Sequence, residues 1–246
     1  MTALMEPGVL LVDKPAGKSS FALVRVVRKL TGIKKVGHAG TLDPFATGLL
    51  VICIGRPATK MISQFMDSDK EYLATLRLGA VSTTLDPEGE ISPTDTSFAY
   101  RSEEIEAVLD RFRGEIKQVP PAYSALKHKG KPLYHYARQG VMIEKEPRTV
   151  HIHSLECFYS IDMIDTHNPI LTCRVVCSKG TYIRSLAADI GKALGCGAYL
   201  SELRRTRSGV FSVDNAVNGR SLYGDYDPKK ISDDIIQLEA VQNMLH

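Results

Sequence analysis

Residues 37–50 read Gly37-His38-Ala39-Gly40-Thr41-Leu42-Asp43-Pro44-Phe45-Ala46-Thr47-Gly48-Leu49-Leu50. Glycines at 37, 40 and 48 let the backbone turn sharply and let a bulky partner approach closely. Pro44 restricts Asp43 to extended geometry and so fixes where its carboxylate points. Asp43 is the only acid between Lys14 and Met66, and a positive field of that kind keeps a carboxylate ionised, ready to act as nucleophile or base. Ordinary Asp-Pro pairs cap helices or turns. The acid-free surroundings set this one apart.

Working outward, the chain alternates short apolar runs with helical stripes. Gly8–Asp13 is a strand closed by the turn Pro15-Ala16-Gly17,. Ser19 or Ser20 caps a helix to Leu30 with Phe21, Val24, Val27 and Leu30 on one stripe, stopped by Gly32,. Lys34–Pro44 reads as a glycine-rich loop and Gly48–Ile54 as a buried strand, followed by a helix from Pro57 to about Phe65,. Glu71–Leu78 alternates as a strand with Tyr72, Ala74, Leu76 and Leu78 on one side, and Asp86-Pro87-Glu88-Gly89 signals a turn,. A helix over Ser102–Phe112, strands near His151–Tyr159 and Ile170–Cys177, a helix to Leu194, an extended Ala198–Arg207 and a short acidic helix from about Ser232 complete the pattern,. Residues 119–150 are basic and poorly periodic, helical only at Leu133–Gln139. A segment of that kind inside a compact domain is functional or mobile.

Composition bounds the function. The 246 residues are 43% hydrophobic and 24% charged, ordinary values for one or two globular domains. The apolar runs are far shorter than the roughly 20 residues of a membrane span, and no signal peptide opens the sequence. Five cysteines without a C-x-x-C pair read as a reduced, cytoplasmic set, with Cys173 and Cys177 as small core hydrophobes. The net charge of +3 is unevenly spread: Lys14–Leu42 holds seven Lys/Arg and no acid, Asp67–Asp110 eleven acids against three bases, and Ile116–Ile143 five bases and no acid. Arg204, Arg205 and Arg207 form a third basic knot. The asymmetry points to a polyanion such as nucleic acid. A phosphate loop at Gly17-Lys18-Ser19 fails because Val12 stands where its first glycine belongs, and Gly195-Cys196-Gly197 lacks the third glycine of a dinucleotide fingerprint,. No histidine pair has zinc-protease spacing.

Six blocks in order, GVLLVDKPAGKSS (8–20), GHAGTLDPFATGLL (37–50), KEYLATLRLG (70–79), QVPPAYSALKHKGKPLYHYARQG (118–140), KGTYIRSLA (179–187) and LRRTRSG (203–209), resemble the bacterial tRNA pseudouridine synthase B family. The resemblance implies an α+β pseudouridine synthase fold, a mixed and mostly antiparallel central sheet flanked by helices, with residues 119–150 as a basic thumb. It implies a single catalytic domain over 1–246, with core 8–209 and a short extension 210–246 in place of the PUA module that many members carry. It implies isomerisation of uridine 55 in the tRNA T loop, with no metal, nucleotide or redox cofactor, no guide RNA and no membrane, by a cytoplasmic monomer.

Residue by residue, the resemblance places the catalytic aspartate on Asp43 and its basic partner on Arg184. Tyr72 stacks on the flipped uracil and assists loss of the C5 proton. His38 takes the uridine's place in the loop, Tyr182 and Leu203 line the uracil pocket, and Lys14 supports the first loop or contacts RNA. Lys127, Lys129, Lys131 and Arg138 neutralise phosphates from the thumb. Two other readings stay open: a catalytically silent tRNA-folding chaperone, and a synthase acting on a uridine of another RNA.

Overall fold

The computed structural model describes residues 6–158, 163–224, 226–227 and 230–245. The chain runs β1 (Gly8–Lys14), α1 (Ser20–Thr31), β2 (Val36–Ala39), β3 (Thr47–Ile54), β4 (Lys70–Leu78), α2 (Ser102–Leu109), β5 (Gly114–Gln118), β6 (Arg148–Phe158), β7 (Ile170–Cys177), α3 (Ile183–Leu194), β8 (Ala198–Ser208) and α4 (Leu238–Leu245), with shorter strands and turns between them. Two compact units result, Met1–Glu71 with Arg204–His246, and Tyr72–Leu203.

In the first unit β1 and β2 both pair antiparallel with β3, with Leu11 opposite Val51 and His38 opposite Ile52. The C-terminal half of β8 runs parallel to β3, Arg205 opposite Gly48. Gly48 has φ +98°, and a Cβ there would lie 2.2 Å from the Arg205 carbonyl oxygen, so only glycine fits,. The period of two along β1 feeds two cores: Leu10 and Val12 join Leu23, Val24 and Val27 of α1, while Val9 and Leu11 join Phe65, Phe211 and Val241,. Ser19 caps α1, its hydroxyl accepting from the Ala22 N–H at 3.2 Å, and Gly32 ends it in the left-handed region,.

Several expectations change here. The glycine-rich stretch 34–44 contains β2, because its backbone finds partners on β3 that local sequence does not reveal. Phe21 leaves the apolar stripe and stands 53% exposed beneath the guanidinium groups of Arg25 and Arg28. The helix after Pro57 is broken at Met61 into Gly55–Lys60 and Ile62–Met66. The C-terminal stretch is a turn of helix, Ile231–Asp234, a strand Ile235–Gln237 that pairs with β1, and α4. It belongs to the first unit's core, with Ile231 and Val241 fully buried.

In the second unit the strand order is β8-β4-β7-β6-β5. β6 is antiparallel to both β5 and β7, and Leu171, Cys173, Val175 and Cys177 of β7 alternate inward. Helix α2 packs on α3, and the helix expected to Phe112 tightens after Leu109 into a 3-10 turn. The expected strand 151–159 is β6, with Tyr159 outside the described residues. Cys157 and Cys173 lie opposite each other in the β6–β7 register and are joined by a disulfide, with a Cα separation of 4.0 Å. The reading of five reduced cysteines is corrected for this pair, which the register brings together across 16 residues of sequence. Cys53, Cys177 and Cys196 are free and buried. Both units are α+β, and the mixed, mostly antiparallel sheet flanked by helices is as expected.

Candidate active site

In the first unit Asp43 sits half-buried on the turn before β3, and the residues on either side of it are clamped. The Ser20 hydroxyl, at the start of α1, donates to the Leu42 carbonyl at 3.0 Å and accepts from the Leu42 N–H at 2.9 Å. The Gly17 N–H donates to the Pro44 carbonyl at 2.8 Å. Lys14 is fully buried, and its Nζ donates to the carbonyls of Pro15 (3.0 Å), Lys18 (2.7 Å) and Pro44 (3.0 Å). Lys14 therefore braces the first loop against the aspartate's turn. Buried cationic donors need such acceptors to offset lost hydration.

His38 lies on β2, half-buried. Burial and the Arg205 guanidinium push its pKa below the ordinary value, so the ring is neutral near pH 7,. Its buried Nδ1 meets no hydrogen-bond partner among the described residues. Arg205 is 1% exposed and reaches the carbonyls of Leu49 (2.8 Å) and Gly40 (3.1 Å), holding the glycine loop from behind. Of the basic knot 204–207 only Arg205 is internal: Arg204, partly exposed, makes a bidentate pair with Asp13 at 2.9 and 2.8 Å, and the exposed Arg207 lies 3.8 Å from Glu71.

In the second unit Tyr72 is half-buried at the start of β4, on the side of buried Ala74, Leu76 and Leu78, as its alternation predicts. Leu203 is buried in β8, 8% exposed. Tyr182 is the residue that opens α3, and Arg184 lies in its first turn. The Arg184 guanidinium is buried and spans three partners: the Thr84 carbonyl at 2.9 Å, Asp86 Oδ2 at 3.0 Å and the Tyr123 carbonyl at 2.8 Å. Asp86, which sequence reasoning treats only as a turn residue, also accepts from the Thr84 hydroxyl and from the Glu88 N–H. Nothing in the local sequence marks it, since its partner is 98 residues away.

The thumb carries its cations outward. Lys127, Lys129, Lys131 and Arg138 are all exposed, around a two-residue hairpin (Lys127–His128 with Lys131–Pro132) and a short helix, Leu133–Ala137. Among the described residues no cluster of three His, Cys, Asp or Glu side chains is placed to hold a metal ion, and no helix is long and apolar enough to cross a membrane.

Comparison with known proteins identifies the family. Residues 28–183 match the model of the TruB family pseudouridylate synthase N-terminal domain, and residues 184–244 that of the tRNA pseudouridylate synthase B C-terminal domain. The chain is 52% identical over 97% of its length to a protein of Desulfotalea psychrophila named tRNA pseudouridine synthase B, covering 96% of it. It is 48% identical to one of the same name from Protochlamydia amoebophila, covering 88% of this chain and 79% of that one. Among solved structures, a chain of a Cbf5-Nop10-Gar1 complex superposes with a TM-score of 0.71 at 28% identity, covering 98% of this chain and 63% of that one. By these matches the chain belongs to the TruB family of pseudouridylate synthases.

Proposed function

We propose that this protein isomerises uridine to pseudouridine in tRNA, at uridine 55 of the T loop, with Asp43 as the catalytic group. The observation that carries the reading is the 52% identity, over nearly the whole chain, to a protein named tRNA pseudouridine synthase B. The clamped turn supports the choice of Asp43, since a carboxylate held by its flanking residues loses little entropy on reaching a bound nucleoside.

The reaction breaks the C1′–N1 bond, turns the uracil in place and joins C5 to C1′. C5 gives up its proton and N1 gains one, so nothing is consumed. A carboxylate at Asp43 serves this by attacking C1′, by adding to C6 or by abstracting a sugar proton; attack at C1′ stabilises an oxocarbenium-like state as in glycosidases. The base leaves the RNA stack first, at a cost of a few kcal/mol. His38 fills the vacated place, Tyr72 stacks on the uracil and assists removal of the C5 proton, and Tyr182 and Leu203 line the uracil's pocket. Arg184 supplies the positive charge that keeps Asp43 ionised. The exposed thumb cations grip the T stem-loop through its phosphates, and loop shape selects the target. The enzyme works as a cytoplasmic monomer, where unmodified tRNA is met.

The test is a mass-shift or tritium-release assay on an unmodified tRNA transcript, comparing wild type with Asp43→Asn. Wild type converts one uridine in the T loop, and the Asn variant converts none while still binding tRNA. Turnover by the Asn variant near the wild-type rate would falsify the assignment, and wild-type binding without conversion would mark a folding chaperone.

A further inference from the structure

We infer that Gln118 is a positioning residue of the reaction, tying the base of the thumb to the opening residues of α3 so that Tyr182 and Arg184 are set by the same segment that carries the RNA-binding cations. The inference rests on the function proposed above.

Gln118 ends β5 and is 2% exposed. Its side-chain amide lies against the peptide groups of Tyr182, 64 residues away. The Tyr182 N–H donates to Oε1 at 3.0 Å, and Nε2 donates to the Tyr182 carbonyl at 3.3 Å. A primary amide presents a donor and an acceptor side by side, as a peptide edge requires; a carboxylate offers only acceptors and an aliphatic chain neither. The next links follow within six residues. Ser185 Oγ donates to the Val119 carbonyl at 3.1 Å, and Arg184 Nη2 donates to the Tyr123 carbonyl at 2.8 Å. Residues 118, 119 and 123 thus engage 182, 185 and 184.

Arg184 and Ser185 are 4% and 5% exposed, so water cannot replace these bonds when they break. On the outer side the thumb is mounted on the same stretch. The Leu133 N–H donates to the Leu126 carbonyl at 2.8 Å and the Tyr134 N–H to the Ser124 carbonyl at 3.1 Å, fixing the helix 133–137 to residues 124–126. A thumb cation that meets phosphate therefore loads residues already bonded to α3.

Two variants test this in single-turnover assays at saturating enzyme on unmodified tRNA, alongside tRNA affinity and thermal unfolding. Gln118→Met keeps the side-chain volume and removes both hydrogen bonds. Its rate on bound tRNA falls about tenfold (roughly 1.4 kcal/mol of barrier) while Kd stays within about twofold of wild type. Ser185→Ala removes one further link at little cost in packing, and its rate falls about threefold with Kd unchanged. If Gln118→Met does not fold, Ser185→Ala decides alone. Wild-type rates on bound tRNA in the folded variants, or weakened affinity at an unchanged saturated rate, would overturn the inference and leave Gln118 a purely structural residue. A wild-type enzyme that converts no uridine refutes instead the function on which the inference rests.

Discussion

Arg184 and Asp86 form a buried ion pair, Nη1 to Oδ2 at 3.0 Å, with side chains 4% and 3% exposed. The geometry explains how a full charge is tolerated in the first turn of α3. The guanidinium also meets two carbonyls, and the carboxylate accepts from Thr84 and Glu88, so few donors or acceptors are stranded.

Breaking a pair of this kind from one side costs about 3–5 kcal/mol, much of it the penalty on the charge left behind. Asp86→Ala and Arg184→Met should each lower the urea-unfolding free energy by an amount of that order, and the double variant should lose less than the sum. Additive losses would mean that the two side chains are not energetically coupled.

The thumb makes a different prediction, in salt rather than stability. Lys127 and Lys131 are exposed, so replacing both by alanine should leave unfolding unchanged and weaken tRNA binding. The slope of log K against log salt should flatten by about 0.7–0.9 for each lysine that neutralises a phosphate. An unchanged slope would make these lysines a solvated face without a role in binding.

His38 gives the fold a pH dependence. Burial and Arg205 hold its folded pKa below the ordinary value. As pH falls through about 6.5 the unfolded chain takes up a proton that the folded imidazole refuses. The contribution is fully present above that pH and is lost as pH falls from there towards the folded value. Urea titrations of wild type and His38→Gln, at about pH 7.5 and about pH 5.5, should show a smaller drop in the variant. Equal drops would place the ring's titration elsewhere.

How much of this was legible before the fold depends on where each partner lies. Helix α1, a cap at Ser19 or Ser20 and its Gly32 stop are local and legible in the sequence, and the structure selects Ser19. Strand β3 is an uninterrupted apolar run, and Asp43 stands out because no other acid lies near it in the chain. β2 hides among glycines because its only signal is a pairing with β3. Asp86 looks like a turn residue because its arginine is 98 residues on, and Gln118 looks ordinary because its partner is a backbone edge 64 residues away. The basic knot 204–207 misleads in the opposite direction at one position. Its charges suggest a surface, and Arg207 is exposed, yet Arg205 is buried against carbonyls of the Asp43 loop's flanks and the partly exposed Arg204 pairs with Asp13. The Cys157–Cys173 pairing follows from strand register alone.

Two jobs for Arg184 can be told apart. Its bonds to Thr84, Asp86 and Tyr123 make it a structural residue of the second unit, and the proposed mechanism also gives it charge control over Asp43. Arg184→Lys restores the charge without the planar, multi-pronged donor set. Under the structural role alone, Arg184→Lys and Asp86→Asn both lower stability, and the enzyme that stays folded keeps the wild-type pH–rate profile. With charge control, Arg184→Met moves the acid limb of the single-turnover profile to higher pH, because the reacting carboxylate is protonated over a wider range. Arg184→Lys should then recover part of the rate at neutral pH, and Asp86→Asn, which leaves the arginine's charge in place, should move the limb little. Rates on bound tRNA across pH for the four proteins distinguish the cases, at temperatures where each is folded. An acid limb that stays put in Arg184→Met removes Arg184 from the group that governs Asp43 and leaves it the anchor of α3.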